Sequence, residues 1–343
     1  MKKSTIIVGL VLALTLSGCK LFNKKEKDNL PKKENYENAV TYEEFNEKSG
    51  NIMNYDAGEG EEYNPSFTST GKFAVEGLES VVEANGKEFS KATSTIDMRQ
   101  EGKYDSQNDV ASVRTHGTSK GVMEKGSGKQ EQNVSADFTR VYQALEIEGN
   151  KETIAVNEKG KEYYDLGAFD SNKPSSQSMM MLGVPVLLYA FSMMGYSFGD
   201  ETEKAKYAFY IDNDELCTST YKTTDTRDLT HVVEGETVKY ATITEETEFL
   251  FQIKPIKNGE EFKGLTCYME YNQSKVRTFV TEYEDTSDKE TYYPGQVVTE
   301  KSDITVACRM EIADVSLTAV NITALKLMPV DPDGEFNPFS SLN

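Results

Sequence analysis

The sequence predicts a mainly β protein of the α+β class. The expected form is an antiparallel meander sheet, with an N-terminal helix and central helices packed on its apolar face. Three observations predict it. Threonine, valine and tyrosine are dense, and such β-branched and aromatic residues suit a pleated, half-buried surface. Short runs of alternating polarity follow one another from Pro65 onward, separated by turn dipeptides. Midway, an uncharged stretch over 174–199 interrupts the alternation.

The first element is the helix. Thr41-Tyr42-Glu43-Glu44 has the spacing of a capping box, in which Thr41 accepts a free amide while Glu44 reaches back. Val40 and Phe45 are placed as the hydrophobic staple around it. The helix is predicted to run to about Ile52, with Tyr42, Phe45, Ser49 and Ile52 on one face. A loop rich in Gly, Glu and Asn ends it, from Gly58 to Asn64.

A first meander is predicted over 65–170. Asn85-Gly86 lies between Leu78–Ala84 and Phe89–Arg99, Gly149-Asn150 between Val141–Glu148 and Thr153–Asn157, and Lys159-Gly160 before Tyr163–Leu166. Asn-Gly supplies the positive φ angles that tight hairpins need. A second meander is predicted over 205–327, with Asn258-Gly259 joining Phe249–Ile256 to Phe262–Tyr271. Within it Tyr207, Phe209 and Ile211 alternate with other residues, as do Phe249, Phe251 and Ile253. Leu265, Cys267, Met269 and Tyr271 do the same, and so do Ile304, Val306, Cys308, Met310 and Ile312. Each run therefore offers one apolar face. From Pro329 the chain is a turn-rich tail.

Between the meanders lies the uncharged stretch. Its length matches a bilayer span, but Gly183, Pro185 and Gly195 break it, and the acidic flank Asp200-Glu201-Thr202-Glu203 is the wrong sign for a cytoplasmic end. One or two short helices, broken near 183–185 and packed on the sheet, are expected instead. The methionines on this segment give an adaptable apolar lining. Met180, Leu187, Leu188, Phe191 and Met194 are the candidate ligand contacts; the competing reading makes them core.

The N-terminus reads differently. Lys2 and Lys3 precede an uncharged run from Ile6 to Leu16, then the small residues Ser17 and Gly18, then Cys19. That is the order of a secretory signal. Leu16-Ser17-Gly18-Cys19 resembles the lipobox of bacterial lipoproteins. The resemblance implies removal of residues 1–18 and a diacylglyceryl group on the Cys19 sulfur. It also implies an extracytoplasmic chain anchored in the outer leaflet of the cytoplasmic membrane. Residues 19–40 are polar and rich in lysine (Lys20, Lys24, Lys25, Lys27, Lys32 and Lys33). They read as a tether, and residues 41–343 as a single β-rich domain.

The formal charge is −20 over 343 residues, a sign that repels nucleic acid, so no nucleic-acid partner is expected. Gly117-Thr118-Ser119-Lys120-Gly121 matches the G-x-S-x-G pattern of serine hydrolases. Its polar flanks, however, predict strand, not the strand-to-helix elbow that the chemistry needs. His116 and His231 are the two histidines, too few for the usual zinc sites. Asp331, Asp333 and Glu335 lack the spacing of a calcium loop. No metal, cofactor or catalytic residue is therefore expected. With Cys19 lipidated, Cys217, Cys267 and Cys308 remain. Cys267 and Cys308 sit on the apolar faces of predicted strands as buried thiols, and a bridge between them requires those strands to be neighbours in register.

A lipid anchor, a first helix and a long meander with helices inserted halfway resemble the LolA/LppX-like carrier fold over about 41–327. In that family a curved antiparallel sheet wraps around helices and holds acyl chains, so the resemblance implies a curved, half-barrel-like meander sheet here. The expected function is non-enzymatic: binding of an apolar or amphiphilic ligand in the concave face of the sheet. The alternative is a surface lipoprotein acting through protein–protein contact, with no ligand cavity.

Overall fold

The computed structural model describes residues 31–328 apart from 54–64, 83, 106, 109, 148–149, 157–161, 166–204, 214, 286–289 and 313–314. Cys19, the 174–199 stretch with its five candidate contacts and predicted central helices, and the tail from Pro329 lie outside the described residues.

The fold is mainly β, as predicted, with one α-helix among the described residues, α1 (Tyr42–Met53), besides a 3-10 turn at Ile322–Ala324. The first half contributes β1 (Ala39–Val40), β2 (Pro65–Val82), β3 (Glu88–Asp105), β4 (Val110–Lys125), β5 (Gly128–Ile147), β6 (Asn150–Val156) and β7 (Glu162–Asp165). The second contributes β8 (Tyr207–Asp212), β9 (Leu216–Val233), β10 (Glu236–Asn258), β11 (Glu261–Phe279), β12 (Tyr283–Asp285), β13 (Glu290–Tyr292), β14 (Val297–Ile312) and β15 (Lys326–Met328). Thirteen of these form one sheet in the order β1-β8-β9-β10-β11-β14-β2-β3-β4-β5-β6-β7-β15, with β1 and β15 its outermost strands among the described residues. Only β15 on β7 is parallel. β12 and β13 pair with each other.

Strands pair consecutively within β2–β7 and within β8–β11 plus β14, and a seam fuses the two meanders into one sheet. Past β14 the chain leaves the second meander, predicted to run to 327, and β15 joins β7 instead. The last long strand of the second, β14, pairs with the first of the other, β2, from Val297↔Val82 to Ile312↔Pro65. The turn at Asn85-Gly86 is built as expected. Gly86 takes φ +77° and the Lys87 amide donates to Asn85 Oδ1 at 2.9 Å. A further tight turn carries no Asn-Gly signal: Glu234 and Gly235 join β9 to β10 with φ of 51° and 88°, the doubly positive pattern of a type I′ hairpin. The strands are longer than the alternating runs suggested. β10 has 23 residues, about 75 Å at ~3.3 Å per residue.

Helix α1 starts with the predicted capping box. The Glu44 amide donates to Thr41 Oγ1 at 3.3 Å, and Glu44 Oε2 accepts from the Thr41 amide at 2.9 Å. Glu43 and Glu44 also place negative charge on its first turn, where the exposed amides favour it. Phe45, Ser49 and Ile52 are buried and Tyr42 half-buried, so the predicted face is the one that packs, against β8, β9 and β10.

Two straps back the opposite face of the sheet. Residues 31–40 belong to the stretch read as tether, yet here the chain is held. The Glu34 amide donates to Gln252 Oε1 at 2.9 Å, and the buried Asp212 accepts from the Glu37 and Asn38 amides at 3.1 Å each. β1 then pairs with β8 as the first strand of the sheet, and the chain turns round that edge into α1. The C-terminal strap follows β14. The Leu317 amide donates to Asp105 Oδ2 at 2.8 Å and the Val320 amide to Gln143 Oε1 at 2.6 Å. Asp105, Val110 and Gln143 are buried and in register across β3, β4 and β5. Polar side chains that receive strap amides are buried without the penalty of an unpaired group.

The Leu317 amide holds the Asp105 carboxyl below the usual aspartate range. Burial opposes it, and Asn108 and the Gln107 amide assist it. A folded-state pKa below the unfolded one stabilises above the unfolded value and is lost as pH falls through the folded value. Asp105→Asn should therefore lower the urea midpoint at pH 7. The gap to the parent protein should narrow below about pH 4, near the unfolded aspartate pKa. A gap that stays constant to pH 3 would show that the carboxylate charge contributes nothing there.

Candidate functional site

The face that carries α1 divides into three bands along β8–β11 and β14. The first is apolar. Phe209 of β8, Cys217 of β9, Phe249, Phe251 and Ile253 of β10, Cys267 and Met269 of β11, and Ile304, Val306 and Cys308 of β14 are buried with Phe45 and Ile52 of the helix. The predicted alternation is thus realised: apart from Cys217, all these strand residues come from the four stripes read in the sequence. The same cluster continues past the seam to Tyr104 of β3 and Ala111 of β4, beyond the three strands against which α1 packs.

The second band is polar. Ile243 of β10 lies in register between Arg227 and Arg277, and Glu245 between Asp225 and Lys275. Glu245 accepts from Gln273 Nε2 at 2.6 Å and has Arg227 at 3.5 Å and Lys275 at 3.9 Å. Arg277 pairs with Glu300 at 2.8 Å. Lys275 and Arg277 are each only 20 % exposed. Tyr271 stands at the junction of the two bands. Burial first, then Glu245, pushes its phenol up to about 12, so it remains a neutral hydroxyl near neutrality.

The third band is an aromatic end. Phe279 of β11 stacks on Tyr292 of β13 with ring centres 4.5 Å apart, and Tyr240 stacks on Tyr283 at 3.9 Å. Buried Ala241 and Val298 complete this second cluster. His231 lies 5.3 Å and 5.5 Å from the Tyr240 and Tyr283 rings, a packed aromatic. At the same end, Val232 and Val233, the last residues of β9, and Val280 and Tyr293, just past β11 and β13, are exposed. Apolar floor, charged middle and aromatic end on one face can accommodate an amphiphile. Sequence reasoning found the floor through its strict alternation. It missed the middle because Arg227, Glu245, Lys275 and Arg277 read individually as solvated strand residues.

Gly117–Gly121 lies inside β4, with Ser119 paired to Ile96 on one side and Val134 on the other. The strand-to-helix elbow of a hydrolase nucleophile is not formed there. Among the described residues no group of three or more His, Cys, Asp or Glu side chains could hold a metal ion. No described helix is long and apolar enough to cross a membrane.

No protein-family model matches the chain, and no curated protein matches it. Among solved structures it resembles lipovitellin, described for its lipid–protein interactions, at 7 % identity and a TM-score of 0.27; the match covers 79 % of this chain but only 28 % of that one. Pseudomonas aeruginosa OccK7 is similar at 8 % identity and a TM-score of 0.21, over 72 % of this chain and 99 % of that one. The transport unit of the Escherichia coli autotransporter AIDA-I follows at 7 % and 0.18, over 78 % and 97 %. Likeness at this level carries no argument about what the chain does.

Proposed function

We propose that this chain is an extracytoplasmic lipoprotein, anchored through Cys19, that holds an apolar or amphiphilic ligand on the helix-bearing face of its sheet without catalysing a reaction. The observation that carries the reading is the layout of that face, an apolar floor running past α1 and bordered by a charged band. Connectivity supports it. β8 is second and β7 twelfth in the sheet order, a separation of about 48 Å at ~4.8 Å per strand on a flat sheet. The chain between Asp165 and Tyr207 joins these two flanks, and it contains the uncharged 174–199 stretch. In this proposal Met180, Leu187, Leu188, Phe191 and Met194 meet the acyl portion of the ligand. Membrane attachment needs the two acyl chains of a diacylglyceryl group, at about 0.8 kcal/mol per buried CH₂.

The exposed apolar residues Val232, Val233, Val280 and Tyr293, gathered at one end of the sheet, favour a second reading, docking of another protein at that end. Two preparations separate the readings. Cys19→Ala should end incorporation of labelled fatty acid and leave the segment before residue 19 uncleaved. Native mass spectrometry of protein beginning at Lys20 should then find a lipid-sized adduct. Label retained in Cys19→Ala rejects the anchor. A clean apo mass after gentle extraction rejects the ligand and leaves the docking reading.

A further inference from the structure

We infer that Cys267 and Cys308 close to a cross-strand disulfide when the chain folds in the presence of a small-molecule disulfide, and that Cys217 stays a thiol. Cys267 of β11 and Cys308 of β14 are direct partners in the antiparallel ladder. Both point into the same apolar cluster. Directly opposed residues of such a ladder have Cα atoms about 4.5–5.5 Å apart, inside the ~4.4–6.8 Å range that a disulfide spans without backbone movement. Cys217 shares the row but not the neighbourhood. It pairs with Ile253, which in turn pairs with Cys267. Two strand spacings separate Cys217 from Cys267, about 9.6 Å at ~4.8 Å each, beyond the ~7 Å limit.

The reaction is a thiol–disulfide exchange in two steps. One cysteine thiolate attacks glutathione disulfide and expels a glutathione thiolate. The second cysteine then attacks that mixed disulfide and expels another. Two electrons leave the protein pair, reducing one glutathione disulfide to two glutathione thiols, which take up the two thiol protons. Timing follows from burial. In the folded protein Cys267 is pushed up to about 12 and Cys308 well above the ordinary thiol range, each chiefly by burial. Little thiolate exists in the folded state, and the apolar cluster excludes the oxidant. Closure therefore belongs to folding, and a closed bridge resists reductant until the sheet opens. It would staple β11 to β14, the strand through which the two meanders meet.

All three thiols are free in this structure, so the test begins from the reduced state. Full chain carrying Cys19→Ala is reduced in denaturant, refolded in a glutathione redox buffer, acid-quenched, alkylated and mapped without reduction. The soluble product should contain one Cys267–Cys308 linked peptide pair and an alkylated Cys217. Its melting temperature should exceed that of reduced protein by on the order of 5–10 °C. The same map on protein extracted from the cell envelope under acid quench reads the bridge with no refolding step. The linked pair in either arm supports the inference. Three alkylated thiols in both arms, or any bridge through Cys217, overturns it. Fatty-acid labelling at Cys19 is scored separately, so failure of the bridge and failure of the anchor are distinct results.

Discussion

Val306→Asp should leave the protein without a cooperative folded state, whereas Thr305→Asp should fold almost like the parent. Val306 is 2 % exposed in the apolar floor, in register between Met269 of β11 and Gly71 of β2. A carboxylate there loses its hydration and meets hydrocarbon, and an uncompensated buried charge costs about 3–5 kcal/mol, besides the lost packing of the valine. Against a total stability of roughly 5–15 kcal/mol, that loss removes most or all of the folded population. It also strikes the seam: β14 is held by β11 on one side and β2 on the other, so its failure separates the two meanders. Thr305 projects to the opposite face and is half-buried. Its partner on β11 is Glu270, and like charges directly opposite cost on the order of 0.2–1 kcal/mol. Urea midpoints decide the matter. Equal midpoints for the two variants would reject the register of β14, and with it the floor of the proposed site.

Val306 also shows why this part of the fold was legible in the sequence. Where one face is buried and the other is not, alternation is strict, as in Ile304, Val306 and Cys308. The pattern faded where neither face is buried. The upper half of β9, from Lys222 to Val233, is mostly exposed and polar on both sides, so no alternating run marks this 18-residue strand in the sequence. The straps were illegible for the opposite reason. Residues 31–40 are held by amides donated to Asp212 and Gln252, and the C-terminal strap by Asp105 and Gln143. Such bonds leave no periodic trace, and a lysine-rich stretch with a docked backbone has the composition of a free tether. Fusion of the two meanders through β14 and β2 joins residues more than two hundred positions apart, which no local pattern encodes. In the candidate site the apolar stripe announced itself, but the charged band is defined by register between strands, which single-strand reading does not supply.

Phe45→Ala should destabilise the protein by about 3–5 kcal/mol, the range for deleting a fully buried phenylalanine, and the helix should fail before the sheet. Phe45 has no exposed surface, and its ring centre lies 5.0 Å from that of Phe209 on β8. α1 has 12 residues, a length at which an isolated helix is marginal in water. The capping box fixes where it starts; packing of Phe45 and Ile52 is what keeps it folded. Alanine retains helix propensity, so any loss reports packing. Glu47→Ala on the exposed side of the same helix should stay within about 0.5 kcal/mol. The consequence for function is directional. Loosening α1 uncovers Phe209, Phe249 and Phe251, which lie in the same cluster. Phe45→Ala should therefore bind more of a hydrophobic fluorescent probe below its melting temperature, while Glu47→Ala binds no more than the parent. An unchanged midpoint for Phe45→Ala would mean that α1 is not held on this face. A lowered midpoint with no added probe binding would mean that the floor beneath the helix does not accept an apolar guest.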